Sequence, residues 1–217
     1  MLQLVEKSAI VKLILLTGAA IGLAIWFWMR PETMAEWLRL ASATISVSVM
    51  LLAAVAASPL WRAVWWVIRP LNRWVFPDLN GEWSVTMDSN IAQIAKAHPQ
   101  LRSTAKKAKV AGTITIRQNL FGIVMIFRGD DGYSNSETTF VKLVKDKVSG
   151  RFRLIYVFEN ETPSARPSDE QRHFGAGRTE VLWVDGSLKI DGEYWTNRMW
   201  RQGMNTAGTV TMVRKAR

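Results

Sequence analysis

Six residues of this 217-residue chain have types and spacings suited to holding an anionic ligand that carries rings: Gln118, Ser136, Tyr156, Tyr194, Thr196 and Arg198. Aromatic rings stack on planar bases, and a guanidinium grips phosphate with a two-pronged fork. Side chains alternate along a strand, so the face each residue uses can be read from its parity. In Arg151–Glu159 the even positions are Phe152, Leu154, Tyr156 and Phe158, while Arg151, Arg153 and Glu159 take the other face. In Ser187–Arg198 the even positions are Leu188, Ile190, Gly192, Tyr194, Thr196 and Arg198, with Lys189, Asp191 and Glu193 opposite. Ile114, Ile116 and Gln118 share a face, and so do Ser134, Ser136 and Thr138. The inward surface is therefore apolar at one end and polar at the other. Tyr156 and Tyr194 could equally be core rings with hydroxyls at a rim. Only the convergence of several such groups argues for a site.

No catalytic constellation accompanies them. The chain has no nucleophile elbow, no phosphate loop and no metal-ligand spacing, so we expect no enzyme and no metal cofactor. Cysteine is absent and the two histidines, His98 and His173, are far apart in sequence, which disfavours a zinc site. His173, beside Gly175, reads as a loop residue bonding to backbone.

The elements that would position the six residues begin after Pro77-Asp78-Leu79-Asn80-Gly81-Glu82-Trp83. Eight strands are expected: Glu82–Asp88, Gly112–Gln118, Gly122–Arg128, Ser134–Leu143, Arg151–Glu159, Arg178–Val184, Ser187–Trp195 and Ala207–Arg214. Turn residues separate them, and Asp185-Gly186 between two runs is a hairpin signal. Eight short strands at this spacing predict a closed, lipocalin-like barrel over residues 78–217. Two insertions interrupt it. The basic stretch 91–109 reads either as a helix broken at Pro99, lying over the barrel mouth or on lipid, or as a solvated loop. The stretch 160–177 reads as a mobile loop.

Residues 1–62 are written for lipid. Apolar runs at 10–29 and 40–61 each match the roughly 20 residues a helix needs to cross the hydrocarbon, which predicts a membrane-anchored two-helix transmembrane hairpin. Tryptophans 26, 28 and 37 mark one interface and 61, 65 and 66 the other. Residues 63–77, with Arg among Trp and Val and a break at Pro70, read as an interfacial connector. Gly18 and Gly22 form a small-residue step for helix association, within one hairpin or between subunits. Basic residues flank the hairpin's ends by five to two over its loop, so both termini are expected to be cytoplasmic. The formal net charge is +10, and +6 of it falls after residue 77. A basic domain draws polyanions such as nucleotides or anionic headgroups.

A resemblance runs through the whole chain. The two helices, the Leu79-Asn80-Gly81-Glu82-Trp83 stretch, Ile116-Arg117-Gln118, Tyr156-Val157-Phe158-Glu159-Asn160, His173-Phe174-Gly175 and Gly192 to Arg198 together resemble a known family. It is that of the SMODS-associated two-transmembrane β-strand effectors of bacterial CBASS antiphage systems, the CD-NTase-associated protein 15 family. The resemblance implies a multi-pass inner-membrane protein whose barrel binds a cyclic dinucleotide from a partner CD-NTase. It further implies that subunits then form a homo-oligomer and disrupt the membrane lipids, ending in abortive infection. It implies no DNA or RNA partner. The alternative is a membrane-anchored lipocalin-like carrier of a lipid or other apolar ligand, with no use for Arg198.

Overall fold

The structure, a computed structural model, describes residues 7–99, 109–165 and 169–215. The chain divides into two compact units. One comprises Met1–Asp78 with Asn119–Phe121, and the other Leu79–Gln118 with Gly122–Arg217.

In the first unit α1 spans Lys7–Met29, α2 Met34–Ala57, α3 Leu60–Val67 and α4 Leu71–Trp74. A capping box starts α2: the Glu36 amide donates to Thr33 Oγ1, while the Thr33 amide donates to the Glu36 carboxylate. Ser58-Pro59 ends α2, because proline cannot continue the backbone ladder. The second apolar run, 40–61, therefore falls mostly on a helix that starts earlier and ends at Ala57. By length and composition α2 is the one helix among the described residues able to cross a membrane, and the described apolar stretch of α1, Leu15–Met29, is shorter. The two helices meet at small residues. A Cβ added to Gly22 would lie 3.3 Å from the Thr44 methyl, and one added to Gly18 would lie 4.0 Å from Ser48 Oγ.

Pro70 breaks the connector into α3 and α4, and the pieces fold back on each other. Trp61, Trp65 and Phe76 form an aromatic cluster, the Trp65 indole N–H donates to the Phe76 carbonyl (2.8 Å), and Arg62 pairs with Asp78 (2.9 Å). Trp61 is buried while Trp66 and Trp74 stay exposed.

The second unit is a closed, wholly antiparallel barrel in sequence order. Its strands are β1 (Gly81–Ser89), β2 (Lys109–Gln118), β3 (Ile123–Gly129), β4 (Asn135–Lys145), β5 (Phe152–Glu161), β6 (Arg172–Val184), β7 (Ser187–Thr196) and β8 (Ala207–Arg214). The expected hairpin turn is present: Asp185 and Gly186 both take positive φ, 49° and 78°, as a tight turn between β6 and β7 requires. The expected loop at 160–177 is shorter than read, because Arg172–Gly177 forms the first half of β6 and pairs with Tyr156–Glu161. Seven residues of the basic insertion form α5 (Ile91–Ala97), which stops before Pro99. Its Ile91, Ile94 and Ala95 pack with Met204 of the β7–β8 segment.

Register pairs stack the barrel interior in layers. At one end Phe152, Val181, Ile190 and Met212 share a row across β5–β8, and all are buried. Trp83 lies beneath, under the Arg214 guanidinium at 4.9 Å. Two rows higher the pattern changes to Tyr156, Gly177, Tyr194 and Gly208, a ring alternating with no side chain.

Candidate functional site

That alternation leaves room. A cavity of about 390 Å³ opens above the apolar rows. Its floor includes Ile114, Met125, Phe127, Val210 and Met212, and its mouth carries polar groups from three connecting segments as well as strand ends.

The glycines of β6 set its shape. A Cβ on Gly177 would strike the end of the Tyr156 ring, and one on Gly175 would strike Phe158. Each ring therefore lies against bare backbone of the neighbouring strand and leaves the barrel centre open. Burial, with Tyr194 adding to it, pushes the Tyr156 phenol well above its ordinary pKa of 10.0. Burial raises Tyr194 too, against an opposing hydrogen bond from Ser89. Both rings are uncharged hydrogen-bonding groups at neutral pH.

Of the six residues named from sequence, the cavity brings together Ser136, Tyr156, Tyr194, Thr196 and Arg198. It does not include Gln118. The parity was right, since Gln118 is buried, but the register sets it at the opposite end of the barrel. There its Oε1 accepts from the Leu79 amide (2.7 Å), while Asn80 Nδ2 donates to its carbonyl (3.0 Å). Gln118 ties the chain entering β1 to the end of β2.

Thr196 and Ser136 are held by neighbouring hydroxyl and amide groups. The Thr196 hydroxyl pairs with that of Thr206 (2.9 Å) and accepts from the Thr206 amide (3.2 Å), which fastens the two ends of the β7–β8 segment. The Ser136 hydroxyl donates to Asn160 Oδ1 (2.9 Å), as does that of Ser134, and Asn160 Nδ2 donates to Thr162 Oγ1 (3.2 Å). Arg198 lies just past β7. Asn197 positions it by extending the ladder: its amide donates to the Phe174 carbonyl (2.9 Å) and its Oδ1 accepts from the Phe174 amide (2.8 Å).

Sequence reasoning missed three residues. Asp169, in the β5–β6 connection, pairs through Oδ1 with Arg198 Nε, and its Oδ2 accepts from the Tyr133 hydroxyl (2.9 Å). Their side chains are 5% exposed for Asp169 and 14% for Arg198. The third is His173, expected in a loop bonding to backbone. It is instead a buried β6 residue opposite Asn160, it lines the cavity, and its Nδ1 has no hydrogen-bond partner among the described residues. Burial holds its imidazole below the ordinary value of 6.5, with Asp169 opposing and Arg198 reinforcing that shift. The signal that would have found it was the run His173, Gly175, Gly177, Thr179, Val181, a period of two whose first members are not apolar. Among the described residues no group of three His, Asp or Glu side chains is placed to hold a metal ion.

The cavity thus offers the phenols of Tyr133, Tyr156 and Tyr194, the His173 imidazole and one arginine paired with Asp169, over an apolar floor. Such a set can sandwich planar rings and grip an anion. Comparison with known proteins agrees. The family model described as Cap15, cyclic dinucleotide receptor domain, matches residues 74–214. The curated CD-NTase-associated protein 15 of Escherichia albertii is 28% identical over 167 residues, spanning 76% of this chain and 75% of that one. With more than half of its length matched, and the match running through every strand of the barrel, this chain belongs to the Cap15 cyclic dinucleotide receptor domain family.

Proposed function

We propose that the protein is a CBASS effector whose barrel receives a cyclic dinucleotide made by a partner CD-NTase, and that it acts by binding rather than by turnover. The observation that carries this reading is the cavity itself: rings, an arginine and an apolar floor converge in one family-typed barrel. The carrier reading, by contrast, leaves Arg198 and Asp169 buried at the mouth without purpose, at a desolvation cost an apolar ligand would not repay.

On this reading α1 and α2 form a two-span hairpin in the bacterial inner membrane, with both termini and the barrel cytoplasmic. The five-to-two bias of basic residues toward the hairpin's ends supports that orientation. The ligand drives self-association because it binds the assembled form better than the resting one, and the assembly disrupts the membrane.

The test uses the full chain. Reconstituted in vesicles of inner-membrane lipids, it should release an entrapped dye and crosslink into oligomers when a matching member of a 3′,3′-cyclic dinucleotide panel is added. A reporter fused after Arg217 should be active only in the cytoplasm. Ligand binding without leakage, or a reporter active on the far side of the membrane, would refute the effector mechanism.

A further inference from the structure

The described lining of the cavity offers the ligand no spare buried positive charge. Among the described lining residues Arg198 is paired with the buried Asp169, and Asp131 is exposed at the mouth. A cyclic dinucleotide carries two phosphodiester negatives into this space. Low-dielectric surroundings amplify the resulting repulsion, so the mismatch needs a resolution.

The geometry around Asp169 supplies one. Its carboxylate is held by two side-chain donors from separate connections, the Arg198 guanidinium and the Tyr133 hydroxyl, and by the adjacent Glu170 amide (2.9 Å), and is almost fully buried. Two donors converging on a planar pair of oxygens is the arrangement that also receives the two free oxygens of a phosphodiester. Arg198 meets Asp169 through Nε, and its Nη groups make no hydrogen bond to the described residues. The guanidinium therefore keeps a full edge for a second acceptor. The neighbouring His173 adds an Nδ1 with no partner among the described residues.

We propose that this seat is the phosphate subsite and that Asp169 is an internal anion standing in it. The inference rests on the proposed function and deepens it. Binding is then an exchange in which a ligand phosphodiester takes the Arg198 and Tyr133 donors and the Asp169 carboxylate withdraws toward water. In the empty protein Asp169 keeps the buried arginine paired, and it sets a threshold that weakly bound anions do not cross.

Asp169→Asn tests this, because the amide keeps an acceptor for Arg198 while removing the charge. Calorimetry on the full chain in detergent, with the cyclic dinucleotide panel and separately with inorganic pyrophosphate, should show D169N binding roughly tenfold or more tightly than wild type. R198A placed in the D169N background should abolish the gain. If D169N does not melt cooperatively, D169S carries the same expected sign. Wild type that binds a dinucleotide while D169N binds it equally or more weakly overturns the inference and leaves the receptor reading intact. Dinucleotides silent on both, with pyrophosphate raising the melting temperature of D169N but not of wild type, keeps the seat and removes the dinucleotide reading. Silence from both probes on every variant removes both.

Discussion

Two inward glycines, one strand apart, should fail in opposite ways when given a methyl group. At Gly177 the new Cβ meets only the far end of a side chain, Tyr156, with Cε2 at 2.7 Å and the ring's tip closer still. At Gly192 it meets main chain, with Thr179 Cα at 2.5 Å and the Arg178 carbonyl closer. A ring can swing about χ1, whereas paired backbone cannot move without opening the β6–β7 ladder. The Tyr156 ring has one direction to go, into the cavity of about 390 Å³ that it already lines. Gly177→Ala should therefore cost about 1–2 kcal/mol, at the mild end of overpacking. A displaced phenol ring also fills space the ligand needs, so binding should fall far more than stability does, by about two orders of magnitude if the ring must be pushed back at roughly 3 kcal/mol. Gly192→Ala should cost about 3 kcal/mol or more, because strand separation adds lost hydrogen bonds to the steric term. Whatever G192A remains folded should bind ligand with near-native affinity. Urea unfolding gives the stabilities and calorimetry on the same samples gives the affinities. The double variant Gly177→Ala/Tyr156→Ala isolates the collision, since removing the ring should recover most of the stability lost to the methyl group. If G177A binds ligand as wild type does, or if the double variant shows no recovery, the claim that Gly177 exists to house Tyr156 is refuted.

Two further outcomes follow from particular contacts. Gln118→Leu removes the acceptor of a buried amide bond at the barrel's closed end, and should cost about 1–3 kcal/mol in urea unfolding while leaving ligand affinity unchanged. A loss of affinity without a loss of stability would return Gln118 to the binding site. His173 should make stability depend on pH in a definite direction: burial lowers its folded pKa below 6.5, so the unfolded chain takes up a proton that the folded chain refuses. Its contribution is fully present above pH 6.5 and is lost as pH falls through the depressed value. Wild type should therefore lose stability on acidification from 6.5 faster than His173→Gln, and parallel curves would show that His173 is not buried as a neutral group.

The barrel was legible because alternation needs only two kinds of residue, and most of its strands have them. Tyr156 and Tyr194 could be assigned inward from Leu154 and Ile190 on the same faces. The same logic failed along the first half of β6, where the inward residues are His173, Gly175 and Gly177. A strand that faces a cavity need not be apolar, so its period cannot be seen by hydrophobicity. Parity also gives a face and not a depth. Gln118 points inward, as expected, but how far along the barrel it lies depends on pairing with β1 and β3, which one strand does not encode. Asp169 belongs to no periodic pattern, and its partnership with Arg198 spans 29 positions in sequence. The second apolar run and the helix that carries it end at different residues for a local reason. Hydrophobicity continues to Trp61, whereas Pro59 stops the helix at Ala57 and Trp61 spends its surface on Trp65 and Phe76.

What turns this barrel from a packed body into a receptor is the removal of side chains from chosen places. The closed half is filled by Phe152, Leu154, Ile190 and Met212, all buried. Two rows on, glycine alternates with tyrosine across β5–β8: the Cβ that Gly177 lacks would strike the Tyr156 ring and the one Gly208 lacks would strike the Asp88 backbone, so bare backbone lets the ring and the neighbouring strand lie close beside the cavity. An empty cavity of that size forfeits packing energy, and buried charges in it forfeit hydration. The Asp169–Arg198 pair limits the second loss by letting the two charges satisfy each other until a stronger anion arrives. Affinity and resting stability are thereby opposed at a single contact. Any substitution that stabilises the free barrel by tightening the internal ion pair should make it a poorer receptor.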